Sequence, residues 1–368
     1  EVCPTSDSGK ETYGASLFKD WDGNMVMFVK ATATNFFGLD EFHFGFYDAD
    51  TGEFEDCLKE GGHYERCLKF YNTLYQQGLL DPDSMTQGYD GCMEDYQDGG
   101  AFFCIFNWMG ATQYNTNEHM AEGKKLLPVV AKNQDTLVYG LGQSGSNRIW
   151  SIGAKSQYPE LCMAIINYLC TPEGRLDYEY GPQGVCWEWL DNGRAELTDF
   201  GLDCKALAAR EDKVMPAPYS GLWDDGCPQM NNTTWSLNTT IPDGVDGQTF
   251  NFKYWDKYLS LDVDKAEQEW RADMGVESYT DYMTQFDYSI SLPHNYAESA
   301  KSDELATTWE QVKTCIQNGS WQAIYAKDDS EFESVMAKMR TDADSYGYQE
   351  CIEWCENEAA LRKAAEYE

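Results

Sequence analysis

Residues 63–106 read HYERCLKFYNTLYQQGLLDPDSMTQGYDGCMEDYQDGGAFFCIF. Tyr64, Cys67, Leu68, Tyr71, Leu74 and Tyr75 recur at three- and four-residue steps, which predicts an amphipathic helix closed by Gly78. Asp81-Pro82-Asp83-Ser84 starts a new element, and a second helix runs through Tyr89–Tyr96 to Asp98-Gly99-Gly100. The apolar run Ala101–Phe106, bounded by turn residues, reads as a buried strand that delivers Asn107 and Trp108 to its C-terminal end. Helices alternating with strands indicate an α/β class.

The same alternation extends in both directions. Upstream, Phe42, Phe44 and Phe46 alternate with His43, Gly45 and Tyr47, a strand pattern followed by a turn at Asp50-Thr51-Gly52. Downstream, Leu137–Leu141 and Arg148–Ile152 read as strands on either side of a glycine-containing hinge at Gly142 and Gly145. Tyr158-Pro159-Glu160 opens a helix through Leu169, and Thr171-Pro172-Glu173-Gly174 caps another, with Pro at the first turn. The segment from Gly181 to Pro293 is rich in loops and holds 6 of the 12 Trp. From Ser302 onward the pattern predicts three helices, Asp303–Gln317, Asp328–Tyr346 and Tyr348–Tyr367, and no internal repeat occurs.

Charge narrows the function. Asp and Glu total 63 against 27 Lys and Arg, a net of -36 over 368 residues. No segment is dense in Lys or Arg, so nucleic-acid binding, which requires a basic footprint, is excluded as an expectation. An anionic membrane surface repels such a chain for the same reason. No apolar run approaches the roughly 18–20 residues of a membrane span. The 13 Cys form an odd set without a CxxC pair, and Cys351 and Cys355 share one face of a helix. They read as small buried apolar residues, with scattered disulfides as the alternative. The four His make no metal-ligand spacing with them. The first residues, EVCPTSDSGKETYG, have neither a Met nor the basic-then-apolar run of a signal peptide. They suggest a processed terminus or a chain that begins inside a longer protein.

No catalytic signature appears: GxSxG, HExxH, a P-loop and a GxGxxG before a helix are all missing. Gly140–Gly145 has a glycine rhythm, yet a strand is expected after it, which argues against phosphate binding. Glu188 is the carboxylate that most resembles a glycosidase acid, but it is one among 63 acidic residues. Asp262-Val263-Asp264 lacks the glycine and terminal Glu of a calcium loop. Neither a catalytic residue, a metal nor a cofactor is therefore assigned.

The aromatic residues point elsewhere. They make up 14% of the chain and often adjoin polar residues in loops, as in Trp21-Asp22, Asn107-Trp108, Trp187-Glu188, Trp223-Asp224 and Asn232-Thr233-Thr234-Trp235. A sugar offers an apolar C–H face and a rim of hydroxyls, which an aromatic ring beside a planar carboxylate or amide can satisfy together. The candidate ligand residues are Trp21, Asp22, Asn107, Trp108, Gln143, Trp187, Glu188, Trp223 and Asp224. Any single Trp could equally be a core residue; the set on loops carries the reading.

Five stretches in order, TYGASLFKDWDGNM (12–25), LKFYNTLYQQGLLDPDSMTQGYDG (68–91), YQDGGAFFCIFNWMG (96–110), NYLCTPEGRLDYEYGPQGVCWEW (167–189) and DNGRAELTDFG (191–201), resemble extracellular solute-binding proteins of family 1. The lipoprotein subgroup of gut Firmicutes is the nearest in pattern. Leu79–Ser84 resembles its "GLLDPDS" step, Tyr168–Tyr180 its "(Y/F)LYSPEG…YG" helix pair and Gly181–Trp187 its "GPEGVxW" turn. Cys57, Cys67, Cys92, Cys104, Cys162 and Cys170 depart from it, standing where apolar residues are expected.

The resemblance implies a periplasmic-binding-protein-like two-lobe α/β fold (class II) that is incomplete at its N-terminus and closes on its ligand like a hinged trap. Residues 1–137 would form lobe 2 and 138–215 the returning part of lobe 1. Residues 216–301 would form a loop-rich inter-lobe segment, and 302–368 helices packed on lobe 2. The implied function is the substrate-binding component of an ABC importer. It would act as a monomer outside the cell, capturing a small polar solute, a sugar in the first instance, for the permease subunits. Its membrane attachment would be a lipid anchor on an N-terminal part that this chain lacks. A glycoside hydrolase and a cell-surface carbohydrate-binding scaffold are the alternatives. An incomplete lobe 1 would leave apolar area exposed around Leu161–Leu169 and an unpaired sheet edge.

Overall fold

A computed structural model describes residues 4–140, 150–206, 213–226, 237–261 and 263–366. In chain order the first elements are α1 (Met27–Phe37), β1 (Leu39–Phe42), β2 (Gly45–Asp48), β3 (Phe54–Asp56), α2 (His63–Gln76), α3 (Tyr89–Gln97), α4 (Ala111–Tyr114), α5 (Asn117–Ala121) and β4 (Thr136–Tyr139). Next come α6 (Pro159–Leu169), α7 (Pro172–Tyr180), β5 (Trp187–Trp189), β6 (Ala195–Leu197), α8 (Asp199–Ala206), α9 (Asp256–Leu259), α10 (Lys265–Met274) and α11 (Tyr279–Met283). The last are β7 (Tyr288–Ser291), α12 (Asp303–Ile324), α13 (Asp329–Ser345) and α14 (Tyr348–Ala365). The chain is α/β and divides into two compact units. Unit 1 comprises 1–115, 125–140 and 269–368, and unit 2 comprises 116–124 and 141–268. Segment 216–301 is thus shared between them.

Unit 1 is built on helices. In α2 the residues Tyr64, Cys67, Leu68 and Tyr71 are buried on one face, as the spacing predicts. That face packs on α1 and α12. Gly78, at φ 69°, ends the helical segment in the left-handed region that glycine tolerates. Ser302 caps α12 by accepting the Leu305 N–H, and Asp328 caps α13 by accepting that of Glu331. Gly319 permits close contact of these two helices, since a Cβ there would lie 2.5 Å from the Met339 sulfur. One continuous core joins Phe18, Phe28, Phe44 and Phe46 to Trp309, Ile316 and Met336. Each such side chain contributes roughly 1.5–3 kcal/mol on burial.

Two strand expectations are corrected in this unit. The Phe42–Tyr47 alternation is not one strand: β1 ends at Phe42, His43 takes φ 55°, and β2 begins at Gly45, so the segment folds back into an antiparallel hairpin. Ala101–Phe106 is not a strand either. Ala101 makes one parallel bridge to Tyr13, the Phe103 N–H donates to the Gly14 carbonyl, and Phe102 is exposed. The remaining sheet of unit 1 is the parallel pair β4–β7. Its buried face carries Ser289 and Ser291. Their hydroxyls donate to Asp135 at 2.9 Å and Asp40 at 3.0 Å, and Arg362 donates to Asp40 at 2.6 Å. Its other face presents Val138, Tyr288 and Ile290, all exposed.

Unit 2 has a core of Leu176, Tyr180, Trp187, Leu197, Phe250 and Trp255. Thr171 caps α7 by accepting the Gly174 N–H at 3.1 Å. Helix α6 runs over the expected residues and has no buried residue at all. Of the expected strand Arg148–Ile152, residues 148–149 lie outside the described residues and 150–152 form no strand. Leu141, Gly142, Gly145 and residues 232–235 also lie outside them. Cys57, Cys67, Cys92, Cys351 and Cys355 are free thiols, and all five are buried.

Candidate functional site

Trp21, Tyr89 and Trp108 come together on the surface of unit 1. Their ring centroids are 4.8 Å (Trp21–Tyr89), 5.8 Å (Trp21–Trp108) and 6.3 Å (Tyr89–Trp108) apart, with interplanar angles of 23°, 26° and 29°. Three nearly parallel rings with three similar separations cannot form a sandwich, in which the outer pair would be about twice as far apart as each neighbouring pair. They overlap like shingles. Trp21 is 47% and Trp108 43% exposed, so the plate offers an apolar face to solvent.

The plate is anchored from below and from the side. Phe18, fully buried, meets Trp21 edge-on at 5.1 Å and Tyr89 at 5.6 Å, and itself packs edge-on against Phe28. Phe106 supports Trp108 at 6.0 Å. Tyr89 stands at the first turn of α3, where Asp20 Oδ2 accepts its backbone N–H at 2.9 Å. One face of α12 holds the loop that carries Trp21. Trp309 Nε1 donates to Asn24 Oδ1 at 2.9 Å, Gln317 Nε2 to the Gly23 carbonyl at 2.6 Å and Trp321 Nε1 to Asp22 Oδ2 at 2.7 Å.

Asp22 therefore supports the loop that carries Trp21. Its Oδ1 accepts the Met27 N–H at 2.8 Å, so both oxygens are engaged inside the protein. Burial pushes its carboxyl up to about 6. The two hydrogen bonds, which favour the charged form, offset that effect only in part.

The other expected site residues divide as follows. Asn107 is exposed beside Trp108. Trp187 and Trp223 are corrections: both are buried in unit 2, Trp187 Nε1 donating to Asp177 at 2.9 Å and Trp223 Nε1 to the Tyr180 carbonyl at 3.0 Å. An enclosed indole whose N–H is already satisfied presents no ring face to a ligand. Glu188 is exposed on β5, directly opposite Glu196, and Asp224 is exposed at the start of a 3₁₀ turn. Gln143 lies outside the described residues. Tyr89 escaped the sequence reading because it counts there as one more helical residue. The signal was its place directly after Gly88, on a first turn whose side chains flank a loop.

A groove of about 650 Å³ lies on another face of α12, lined by Gln311, Asn318, Gln322, Lys338, Asp342 and Tyr346 among others. Cys315, Val335 and Met339 also line it, and Lys338 pairs with Asp342 within it. No Trp lines this groove, whereas the plate presents two exposed indoles. Among the described residues no group of three or more His, Cys, Asp or Glu could hold a metal ion. Nor is any helix among them long and apolar enough to cross a membrane.

No protein-family model matches the chain. No curated protein matches it either. Among solved structures it is similar to an HMO-binding ABC-transporter-associated solute-binding protein from Bifidobacterium longum infantis, at 15% identity and a TM-score of 0.45. That match covers 95% of this chain and 65% of the other. It is also similar to the alginate-binding protein AlgQ2 without calcium ion, at 15% identity and a TM-score of 0.46, over 96% of this chain and 64% of the other. The chain thus spans somewhat less than two thirds of the length of the structures it matches.

Proposed function

We propose that this chain is the substrate-binding component of an ABC importer. It captures a carbohydrate outside the cell on the Trp21–Tyr89–Trp108 plate and passes it to the permease. On this reading units 1 and 2 are the two lobes of a binding protein. The plate carries the proposal. Nearly parallel rings, with both indoles close to half exposed, suit the flat C–H face of a pyranose. Perpendicular rings would instead build a cage for a quaternary ammonium. Binding of this kind needs no reacting group, and the order of the five sequence motifs supports the same family. The plate also lies in a unit where Asp22, Asn24 and α12 hold the Trp21 loop in place, so little conformational freedom is lost when a ligand binds.

The test is titration of the chain's tryptophan fluorescence with a panel of oligosaccharides, alongside the double variant Trp21→Ala/Trp108→Ala. Saturable binding to at least one glycan, lost in the double variant while the thermal melt is kept, is the expected result. Undiminished binding in the double variant, or binding to no glycan, would overturn the assignment.

A further inference from the structure

Resting on the carbohydrate reading of the plate, we infer that its ligand is an uncharged or amine-bearing glycan and that acidic glycans are rejected. Asp20 precedes Trp21 in the chain and accepts the backbone N–H of Tyr89, so its carboxylate is tied to the two chain segments that carry Trp21 and Tyr89. One oxygen is used in that bond; the other has no hydrogen-bond partner among the described residues, and the side chain is exposed. Asp90, also exposed, follows Tyr89 on the first turn of α3.

A carboxylate can accept from sugar hydroxyls or an ammonium, but it repels a uronate or sulfate. Proteins that hold anionic ligands do so with guanidinium forks or ammonium groups. Among the described residues no Lys or Arg lies over the ring of Trp21, Tyr89 or Trp108, although such contacts occur at nine other ring positions. The nearby cations are Lys19, which acts on the Asp22 carboxylate, and Lys30, paired with Glu41 at 2.5 Å. The chain's net charge of -36 sets a long-range field of the same sign as Asp20.

Isothermal titration with neutral oligosaccharides and with uronate, sulfated and glucosamine counterparts of matched length tests this. Acidic members should bind at least roughly tenfold more weakly than their neutral counterparts at low salt, and the gap should narrow at high salt as screening grows. In Asp20→Asn the amide oxygen can still accept the Tyr89 N–H, and the ratio of acidic to neutral affinity should rise severalfold; a thermal melt verifies the fold. Acidic glycans binding as tightly as neutral ones, or a ratio unmoved in Asp20→Asn, would overturn the charge selectivity and leave the carbohydrate reading standing. If no glycan of any class binds, both fall.

Discussion

The indole N–H of Trp321 donates to Asp22 Oδ2 at 2.7 Å, joining residues 299 positions apart. Asp22 takes a second donor from the Met27 backbone, so the loop carrying Trp21 is tied at once to α1 and α12. Trp321→Phe keeps most of the buried ring and removes only the donor. It leaves a largely buried carboxylate oxygen unpartnered, which costs about 1–3 kcal/mol. Urea unfolding should show that loss with an unchanged slope. A variant as stable as the parent would mean that the bond contributes nothing.

Asp22 also gives unit 1 a pH signature. Its carboxyl titrates near 6 in the folded chain against an ordinary value of 3.8, because burial penalises the charge. The folded state therefore binds the proton more tightly than the unfolded state. The stabilisation is full below about 3.8 and is lost as pH rises through about 6. A shift of this size corresponds to an order of 2–3 kcal/mol. Asp22→Asn cannot titrate, so the stability difference between parent and variant should move in the variant's favour from pH 4 to pH 7. A difference that stays constant across this window would rule out the raised carboxyl.

Trp108 and Trp187 were indistinguishable in sequence, each beside a polar neighbour, yet the structure assigns them opposite roles. Trp108 is 43% exposed and Trp187 is fully buried with its N–H satisfied by Asp177. Trp108→Ala should weaken glycan binding by an order of magnitude, since stacking on one aromatic ring contributes about 0.5–1.5 kcal/mol beyond buried area. Its effect on folding should be small. Trp187→Ala should cost about 3–5 kcal/mol of stability in unit 2. Calorimetry of melting beside binding titration separates the two, and the reverse outcome would exchange their roles.

That contrast shows what was legible. Periodicity found α2 because a buried stripe repeats with the helix pitch, as Tyr64, Cys67, Leu68 and Tyr71 do, whereas proline and cap signals marked the starts of α6 and α7. Strand readings fared worse. A short apolar run such as Ala101–Phe106 has no period of its own, and only its partner, here a single bridge at Tyr13, decides whether it pairs. His43 broke the Phe42–Tyr47 alternation by a positive φ that nothing in its side chain announces. The plate was half legible. Trp21 and Trp108 stood out as loop aromatics, but Tyr89 joins them only through folding. Whether a Trp is plate or core depends on what covers it, and that is long-range information.

Gly174 tests the local packing of α6 against α7. A Cβ at this position would stand 1.9 Å from the Tyr168 carbonyl oxygen and 2.6 Å from its carbon. These are backbone atoms, so no side-chain rotation can relieve the clash. Gly174→Ala would gain up to about 1 kcal/mol of helix propensity elsewhere, but here it should cost about 3 kcal/mol net. A thermal melt that is unchanged or raised would show that the chain between the two helices can shift to accept the methyl group.

Helix α6 carries the strongest mismatch between sequence and surroundings. Cys162, Ile166 and Leu169, spaced four and three residues apart, are half-buried, while Leu161, Met163, Ile165 and Tyr168 are exposed, Leu161 to 59%. A helix with one buried stripe normally places polar residues opposite it. Here the opposite side is apolar, so the exposed residues add little to the stability of this chain and much to its tendency to bind apolar probes. Leu161→Lys/Ile165→Lys should therefore change unfolding free energy by less than about 0.5 kcal/mol per site. The same pair should lower the fluorescence of a bound naphthalene sulfonate dye and raise solubility. Core residues would behave otherwise, since burying two lysines in place of aliphatic side chains costs several kcal/mol. Denaturant unfolding and dye titration on the same samples distinguish the cases. A stability loss of the core size would show that Leu161 and Ile165 are enclosed in solution and that the exposed face described for α6 is wrong.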